Sequence, residues 1–186
     1  MYTWGYIKEN ALAKLNLSEE EANEQGFLSS FPYYANEAMT QICSAIKPNR
    51  TYHIVTVTEP NVIITMPDDF ISFGDEVIGY DGEYECDVVP AKHYGYNKVL
   101  CKEPGTYTIQ YNARWFLFTK NLENKTVIPA PLDVCDAIPS YIVAQCFKLD
   151  DEAKAATYRN EYEMFLARIN DETPNDSYCI TVGGDW

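Results

Sequence analysis

Basic side chains are scarce in this chain of 186 residues. It contains 14 Lys and Arg against 28 Asp and Glu, and its formal net charge is −14. Binding to nucleic-acid phosphates depends on clustered Lys and Arg, but no segment of the sequence is basic. We therefore expect no specific binding to DNA or RNA, although DNA could pass along such an acidic surface without being held.

Patterns for metal binding, secretion and membrane insertion are also missing. The six cysteines form no C-x-x-C pair, and the two histidines, His53 and His93, fit no zinc-type spacing. The first ten residues lack the regions of a signal peptide, and no apolar run approaches the ~18 residues of a membrane span. We expect a soluble protein made in the cytoplasm, with reduced thiols, no bound metal and no membrane contact.

Catalytic motifs are equally absent from the sequence. It has no nucleophile elbow, P-loop or dinucleotide-binding motif, and no cysteine has a histidine beside it. The acidic groups at 68–69, 75–76 and 81–87 lack the spacing of a calcium-binding loop, and turns favour Asp and Gly for backbone reasons. We therefore predict a protein that is not an enzyme, with no catalytic, cofactor-binding or metal-binding residues.

Apolar residues make up 46% of the chain, which is enough for a packed core, and their spacing predicts helices at both ends. One is predicted over 6–15 and one from the capping box Ser18-x-x-Glu21 to Gly26. A third begins near Ser30 with Pro32 in its first turn. The spacing also predicts a helix from about residue 134, with Pro139 as a kink or as its true start, and another after Asp150 and Asp151.

Between these helices the apolar period changes to two, which predicts strands. Asp81-Gly82 is a strong signal for a two-residue hairpin turn. The alternation of Trp115, Phe116, Leu117 and Phe118 resembles a strand buried on both sides or an interface edge. The predicted strands are 52–58, 61–66, 77–80, 83–89, 99–102 and 106–114, which together would make a small antiparallel sandwich or open barrel.

The fold class is therefore predicted to be α+β, with the terminal helices packed as a small bundle and the β-structure inserted between them. The predicted division is a helical domain of residues 4–48 and 131–170, an inserted β-domain of residues 51–128, and an extended tail of residues 171–186. Tyr178 to Val182 within the tail form an apolar strand pattern without a local hairpin partner. Such a strand either closes its own sheet or pairs with a neighbour's.

Three stretches of the sequence resemble one known family. They are ITMPDDFISFGDEVIGYDG, EPGTYTIQYNA and IPSYIVAQCFKLDDEAKAATYRNEYEMFLARIND, together with the opening helix IKENALAKLNL. Their order and spacing resemble the head-to-tail adaptor proteins of tailed bacteriophages, which are related to the tail tubular or neck-ring proteins. The similarity covers most of residues 4 to 170, and the helix containing Tyr158-Arg159-Asn160-Glu161-Tyr162 is its best marker.

The resemblance implies a structural virion protein of the neck. Such proteins form a ring, commonly of about twelve copies, which sits below the portal, continues the DNA channel towards the tail and contacts further neck or tail proteins. The family binds the portal largely through its C-terminal portion. The residues expected to contact a partner are Tyr158, Arg159, Tyr162, Tyr178, Ile180, Val182 and Trp186, and Tyr94, Tyr96, Trp115 and Phe116 are candidate aromatics between subunits.

Two other functions remain open from the sequence alone. One is another structural component of a phage tail or baseplate, built on the same β-module. The other is a carbohydrate-binding module, in which Tyr96 and Trp115 would form an exposed stacking platform. An exposed Trp115 would favour the carbohydrate-binding module over the two assembly functions.

Overall fold

The computed structural model describes residues 2–74, 80–81 and 90–172, and in this part of the chain it contains both helices and antiparallel sheets. The prediction of an α+β fold is confirmed. The helices are α1 (Trp4–Leu15), α2 (Glu19–Glu24), α3 (Phe27–Ala45), α4 (Leu132–Phe147) and α5 (Glu152–Glu172). The strands are β1 (Asn49–Val57), β2 (Val62–Thr65), β3 (Phe70–Phe73), β4 (Tyr80–Asp81), β5 (Ala91–His93), β6 (Lys98–Cys101) and β7 (Gly105–Ala113).

The helices from both ends of the chain share one hydrophobic core. α4 contacts α1, α3 and α5, and α2 packs on α3. The core is made of the apolar stripes that the helical period places on one side of each helix. Its large, fully buried members include Ile7, Phe31, Met39, Ile42, Ile138, Ile142, Tyr162 and Ile169.

The starts of α2 and α5 follow local capping chemistry. The Ser18 hydroxyl accepts a hydrogen bond from the Glu21 amide at 3.2 Å, and the Glu21 carboxylate accepts one from the Ser18 amide at 2.8 Å. This reciprocal pair confirms the predicted capping box. The side chain of Asp151 likewise accepts from the Lys154 amide at 3.0 Å, which confirms the predicted cap of α5.

The predicted start of α3 is wrong, and so is one of the two alternatives predicted for Pro139. α3 begins at Phe27 rather than near Ser30, because Gly26 adopts a positive φ of 76° and turns the chain directly from α2 into α3. Pro32 consequently lies inside α3, beyond its first turn. Pro139 lies inside α4, which begins at Leu132, so it does not mark the start of that helix.

The strands form two antiparallel sheets. β7 lies between β1 on one side and β3 and β4 on the other, and β6 lies between β2 and β5. β1 pairs with β7 along all its residues, from Asn49 opposite Ala113 to Val57 opposite Gly105. Side chains of both sheets meet in a second core that includes Val57, Phe70, Val99, Tyr107 and Ile109. No closed barrel is present in the described residues.

The predicted strands match the structure in part. β1, β2, β6 and β7 lie where strands were predicted, whereas β3 and β5 lie where none was predicted. Of the predicted strand 77–80 only Tyr80 lies within the described residues. The predicted strand 83–89 lies outside them. Of the predicted turn Asp81-Gly82 only Asp81 is described.

The chain from Arg114 to Pro131 packs on the helices instead of continuing the sheet. The strand predicted for Trp115 to Phe118 is wrong, because this stretch is irregular and its side chains do not alternate between two faces. Phe118 and Ile128 are buried in the helical core. Asn36 fixes the stretch with two hydrogen bonds of 2.8 Å, one donated to the Phe118 carbonyl and one accepted from the Phe118 amide.

The same stretch makes a close backbone contact with α1. The Gly5 amide donates to the Asn124 carbonyl at 2.8 Å, and the Trp4 amide donates to the Thr126 carbonyl at 2.9 Å. A Cβ atom on Gly5 would lie 2.9 Å from the same Asn124 carbonyl oxygen. Only glycine therefore allows α1 and this stretch to approach so closely.

Replacement of Gly5 by alanine should lower the free energy of unfolding by about 1–3 kcal/mol, because the added methyl forces two backbones apart. Urea unfolding followed by circular dichroism would measure the change. Glu9→Ala on the exposed side of α1 is the control and should stay within about 0.5 kcal/mol. Equal stability of Gly5→Ala and the parent would contradict the close contact.

Candidate interaction surfaces

Tyr158, on α5, was expected to contact a partner, and its side chain is half-buried. Its hydroxyl donates to the Lys14 carbonyl at 2.8 Å, and its ring stacks on Phe147 with 6.1 Å between centroids. These contacts join α5 to α1 and to the end of α4. One edge of Tyr158 remains at the surface.

Tyr162 lies one turn further along α5 and is fully buried, with 0% of its surface exposed. Its hydroxyl is 3.3 Å from the Ala38 carbonyl, to which it donates, and its ring meets Tyr141 edge-on at 4.9 Å. Burial, together with the neighbouring Tyr141, raises the pKa of Tyr162 well above its ordinary value. In this structure Tyr162 therefore belongs to the helical core and presents no side-chain surface to a partner.

Arg159 covers these two tyrosines from the solvent side. Its guanidinium carbon lies 5.6 Å from the Tyr141 ring centroid and 5.4 Å from the Tyr162 ring centroid, within the range of cation–π contacts. The guanidinium also pairs with Glu163 at 2.6 Å. Because both partners of this pair are exposed to solvent, the pair adds about 0–1 kcal/mol to stability.

A groove runs along the helices beside Arg159. Its first part, with a volume of about 710 Å³, lies at the turn between α4 and α5 and is lined by Gln145, Lys148 and Arg159 among others. Its second part, of about 630 Å³, shares Gln145 and Lys148 and continues between α3 and α4. Leu149 stands beside the first part and is 94% exposed. We call these two parts together the helical groove.

Polar side chains of the second part of the helical groove form a small network. Gln41 donates to the Tyr141 hydroxyl at 3.0 Å, and that hydroxyl donates to the Glu37 carboxylate at 3.1 Å. Burial and the nearby Glu37 charge raise the pKa of Tyr141, so this hydroxyl stays protonated and acts as a donor. The groove thus combines fixed polar groups with one fully exposed leucine.

The four predicted inter-subunit aromatics do not form one cluster. Tyr94 and Tyr96 are exposed on the β-structure, and Tyr96 rests edge-on against Phe70 with its hydroxyl donating to the Ile71 carbonyl at 3.1 Å. Trp115 and Phe116 instead pack on the helical core. The indole of Trp115 is half-buried and donates to the Lys47 carbonyl at 3.1 Å. This arrangement therefore does not favour a sugar-stacking platform built from Tyr96 and Trp115.

A second exposed apolar surface lies on β1. Tyr52 is 56% exposed and Ile54 is 67% exposed, and both point to the same side as exposed Thr56. β7 pairs with one edge of β1, and within residues 2–74, 80–81 and 90–172 no strand pairs with the other edge. We call this unpaired side, with Tyr52 and Ile54, the β1 edge.

The sequence analysis missed both the helical groove and the β1 edge. The groove combines residues of α3 with residues of α4, α5 and the turn between them, and because α3 is distant from these in sequence no local signal reveals the whole groove. The β1 edge did leave a signal: apolar residues stand on both faces of the strand, with Val55 and Val57 towards the sheet core and Tyr52 and Ile54 outside. Such a pattern indicates either a fully buried strand or a contact surface.

In the described residues the thiols and the side chains that can bind metals form no reactive or metal-binding group. Cys43, Cys101, Cys135 and Cys146 are buried and unbonded. No group of three His, Cys, Asp or Glu that could hold a metal ion occurs in the part of the chain that the structure describes. The His93 ring stacks on Phe73 at 4.0 Å, and His53 lies in β1.

The described helices include none that is long and apolar enough to cross a membrane. Comparison of the chain with protein-family models and with curated proteins finds no match. Tyr178, Ile180, Val182 and Trp186 lie outside the described residues, so their contacts with a partner stay predictions.

Replacement of Tyr162 tests whether it belongs to the core. Tyr162→Ala should lower the free energy of unfolding by about 3–5 kcal/mol through the cavity it leaves, whereas Tyr162→Phe should cost about 0.5–1.5 kcal/mol for the lost hydrogen bond to Ala38. Urea unfolding would measure both, with exposed Met164→Ala as the control, expected within about 0.5 kcal/mol. A Tyr162→Ala protein as stable as the parent would contradict the core assignment.

The buried thiols should be unreactive in the folded protein. Burial raises the pKa of Cys146 to about 12, and burial with nearby Asp136 raises that of Cys135 to about 12, so almost no thiolate exists at mildly alkaline pH. In a Cys86→Ser, Cys179→Ser variant, a thiol reagent should label the folded chain hardly at all and the urea-unfolded chain fully. Rapid labelling of the folded variant would contradict the burial of these thiols.

Proposed function

We propose that the chain is a structural protein of a tailed-phage virion, namely a head-to-tail adaptor. Copies of it form a ring that docks on the portal, continues the DNA channel towards the tail without binding DNA specifically, and contacts further neck or tail proteins. The protein acts by assembly and carries out no catalysis. It is made in the host cytoplasm and ends in the neck of the virion.

The observation that carries the proposal is the helical hairpin of α4 and α5. It contains the stretch of sequence that most resembles the adaptor family, and it also carries the helical groove and the exposed Leu149. A single exposed leucine is common on protein surfaces, but Leu149 lines a groove together with fixed polar groups and Arg159, and this combination supports a protein contact site. The resemblance and the surface thus indicate the same part of the chain.

The helical groove carries basic as well as acidic side chains although the chain as a whole is acidic, which suits a specific contact with a partner. Two basic residues, Lys148 and Arg159, line it together with two acidic residues, Glu37 and Glu152. Arg159 is held in place by two tyrosine rings and by Glu163, so little side-chain freedom would be lost when a partner binds. Arg is one of the residue types that most often dominate the energies of protein interfaces.

Another tail or baseplate component is the second assembly function, and it would use the same surfaces with a different partner. The β1 edge is the observation in its favour, because an open strand edge can join a sheet of any neighbouring structural protein. The identity of the partner therefore separates the two assembly functions.

Light scattering of the protein mixed with a purified candidate portal ring would test the proposal. The full chain should bind saturably, and a chain that ends after Asn170 should not, because it lacks the C-terminal portion through which the family docks. This truncation removes only the last two residues of α5, so the helical core should stay folded.

Leu149→Asp should weaken portal binding by about tenfold or more, since it places a charge at the centre of the contact. The matched control is Ile63→Asp, which changes an exposed apolar residue on β2 in the same way. Both variants should keep the circular dichroism spectrum of the parent. A portal that binds neither the parent nor the variants, although all are folded, would rule out the adaptor assignment and favour the other tail component.

A further inference from the structure

The β1 edge lacks the features that normally prevent strand addition. Natural edge strands are protected by charged residues, prolines or bulges. β1 contains no Lys, Asp, Glu or Pro, and its one formally charged residue, Arg50, stands near its start, before Thr51 to Val57. Its register with β7 runs through all nine residues without a shift. Tyr52 and Ile54 add exposed apolar surface next to backbone groups with which no strand of the described residues pairs. An added strand would therefore gain both hydrogen bonds and apolar contact.

The chain itself contains a segment suited to this position. Tyr178 to Val182 reads Tyr-Cys-Ile-Thr-Val, which combines β-branched and aromatic residues with a period of two and no formal charge. Its apolar residues Tyr178, Ile180 and Val182 fall on one side of an extended strand. That side matches the exposed row of Tyr52 and Ile54 on β1 in spacing and in chemistry.

The end of α5 lies on the side of the helices where β1 begins. Contacts of Phe147 with Tyr158 and of Tyr141 with Tyr162 show that α5 runs antiparallel to α4, so α5 ends near the start of α4. The ion pair of Lys47 with Asp133, at 2.7 Å, joins that start of α4 to the chain just before β1. The five residues from 173 to 177, which precede Tyr178, could span about 16–18 Å if extended.

Charge favours these two segments over other surfaces for contact between copies. With a net charge of −14, two copies repel each other over most of their surface. Neither Thr51 to Val57 nor Tyr178 to Val182 carries a formal charge. Contact between them therefore adds little direct repulsion between the contacting residues.

We propose that Tyr178 to Val182 of one copy adds as a strand to the β1 edge of a second copy, with Ile180 on the same side of the sheet as Ile54. Donor segment and acceptor edge are different surfaces of the chain, so each copy can accept one neighbour and donate to another. Such head-to-tail contacts form a closed ring when the rotation between neighbouring copies closes on itself. The choice of a second copy rests on the ring in the proposed function, and the inference supplies the contact that builds it.

Disulfide trapping tests the pairing in the absence of any portal. In a Cys86→Ser, Cys179→Ser background, Ile54→Cys is combined in turn with Tyr178→Cys, Ile180→Cys and Val182→Cys, which covers the neighbouring registers on one side of the strand. A bridge forms only when the two Cβ atoms come within about 4.5 Å. Under mild oxidation at high protein concentration, at least one combination should give a ladder of covalent dimers and larger species.

The matched control combines Ile54→Cys with Thr181→Cys, which points to the other side of an extended strand and should lose the ladder. A second measurement uses the chain with its native cysteines: Ile54→Lys should decrease the mass found by light scattering while keeping the circular dichroism spectrum. Neither the disulfide ladder nor the light-scattering mass depends on a reaction of the buried native cysteines.

Each outcome decides the pairing. A disulfide formed within single chains would show that the segment closes its own sheet and would overturn the exchange between copies. No disulfide in any of the three combinations would overturn the pairing altogether. A ladder in a protein that fails to bind a portal would leave the pairing standing and reject only the portal as partner, so the two failures are distinguishable.

Discussion

The burial of Tyr162 between α3 and α4 is the contact on which the rest of the structure depends. It brings the last helix of the chain against α4, where its ring meets Tyr141, and against α3, which begins more than a hundred residues earlier and whose Ala38 carbonyl accepts a hydrogen bond from its hydroxyl. Tyr158 makes a comparable link to Lys14 in α1. Because the two ends of the chain are joined, the strands between them are anchored to the helices both where the chain enters β1 and where it leaves β7.

These connections determine where the sheets lie relative to the helices. Lys47 at the entrance to β1 pairs with Asp133 at the start of α4, and its carbonyl accepts the indole hydrogen of Trp115 at the exit of β7. The stretch after β7 is in turn fixed by Asn36 and by the backbone of Gly5. Polar contacts thus position the junction, while the two hydrophobic cores supply most of the apolar burial.

Sequence reasoning predicted the elements whose signals are local. The helical stripes and the caps at Ser18 and Asp151 depend on residues within a few positions of each other, and they were confirmed. The period of α5 indicated which face is apolar, but it could not show that other helices cover that face, so Tyr162 was expected at a surface. The strand predicted for Trp115 to Phe118 was wrong for a related reason. A run of large apolar residues has no period of its own, so the surrounding structure decides its conformation. The groove exists only once the chain is folded, and no short pattern describes it, whereas the apolar residues on both faces of β1 were a local signal of the β1 edge.

An assembly protein with a strong negative charge must solve a specific physical problem. In the ring that we propose, copies meet although their charges repel, and that repulsion reaches about 8 Å at physiological salt. Hydrogen bonds of a shared sheet and apolar side chains act at contact distance and are hardly weakened by the net charge. In this chain such short-range surfaces are separate from each other, since the β1 edge lies on the sheet and the helical groove lies on α3, α4 and α5. Contact between copies and contact with a different protein can therefore occur together, because neither surface needs to be given up for the other.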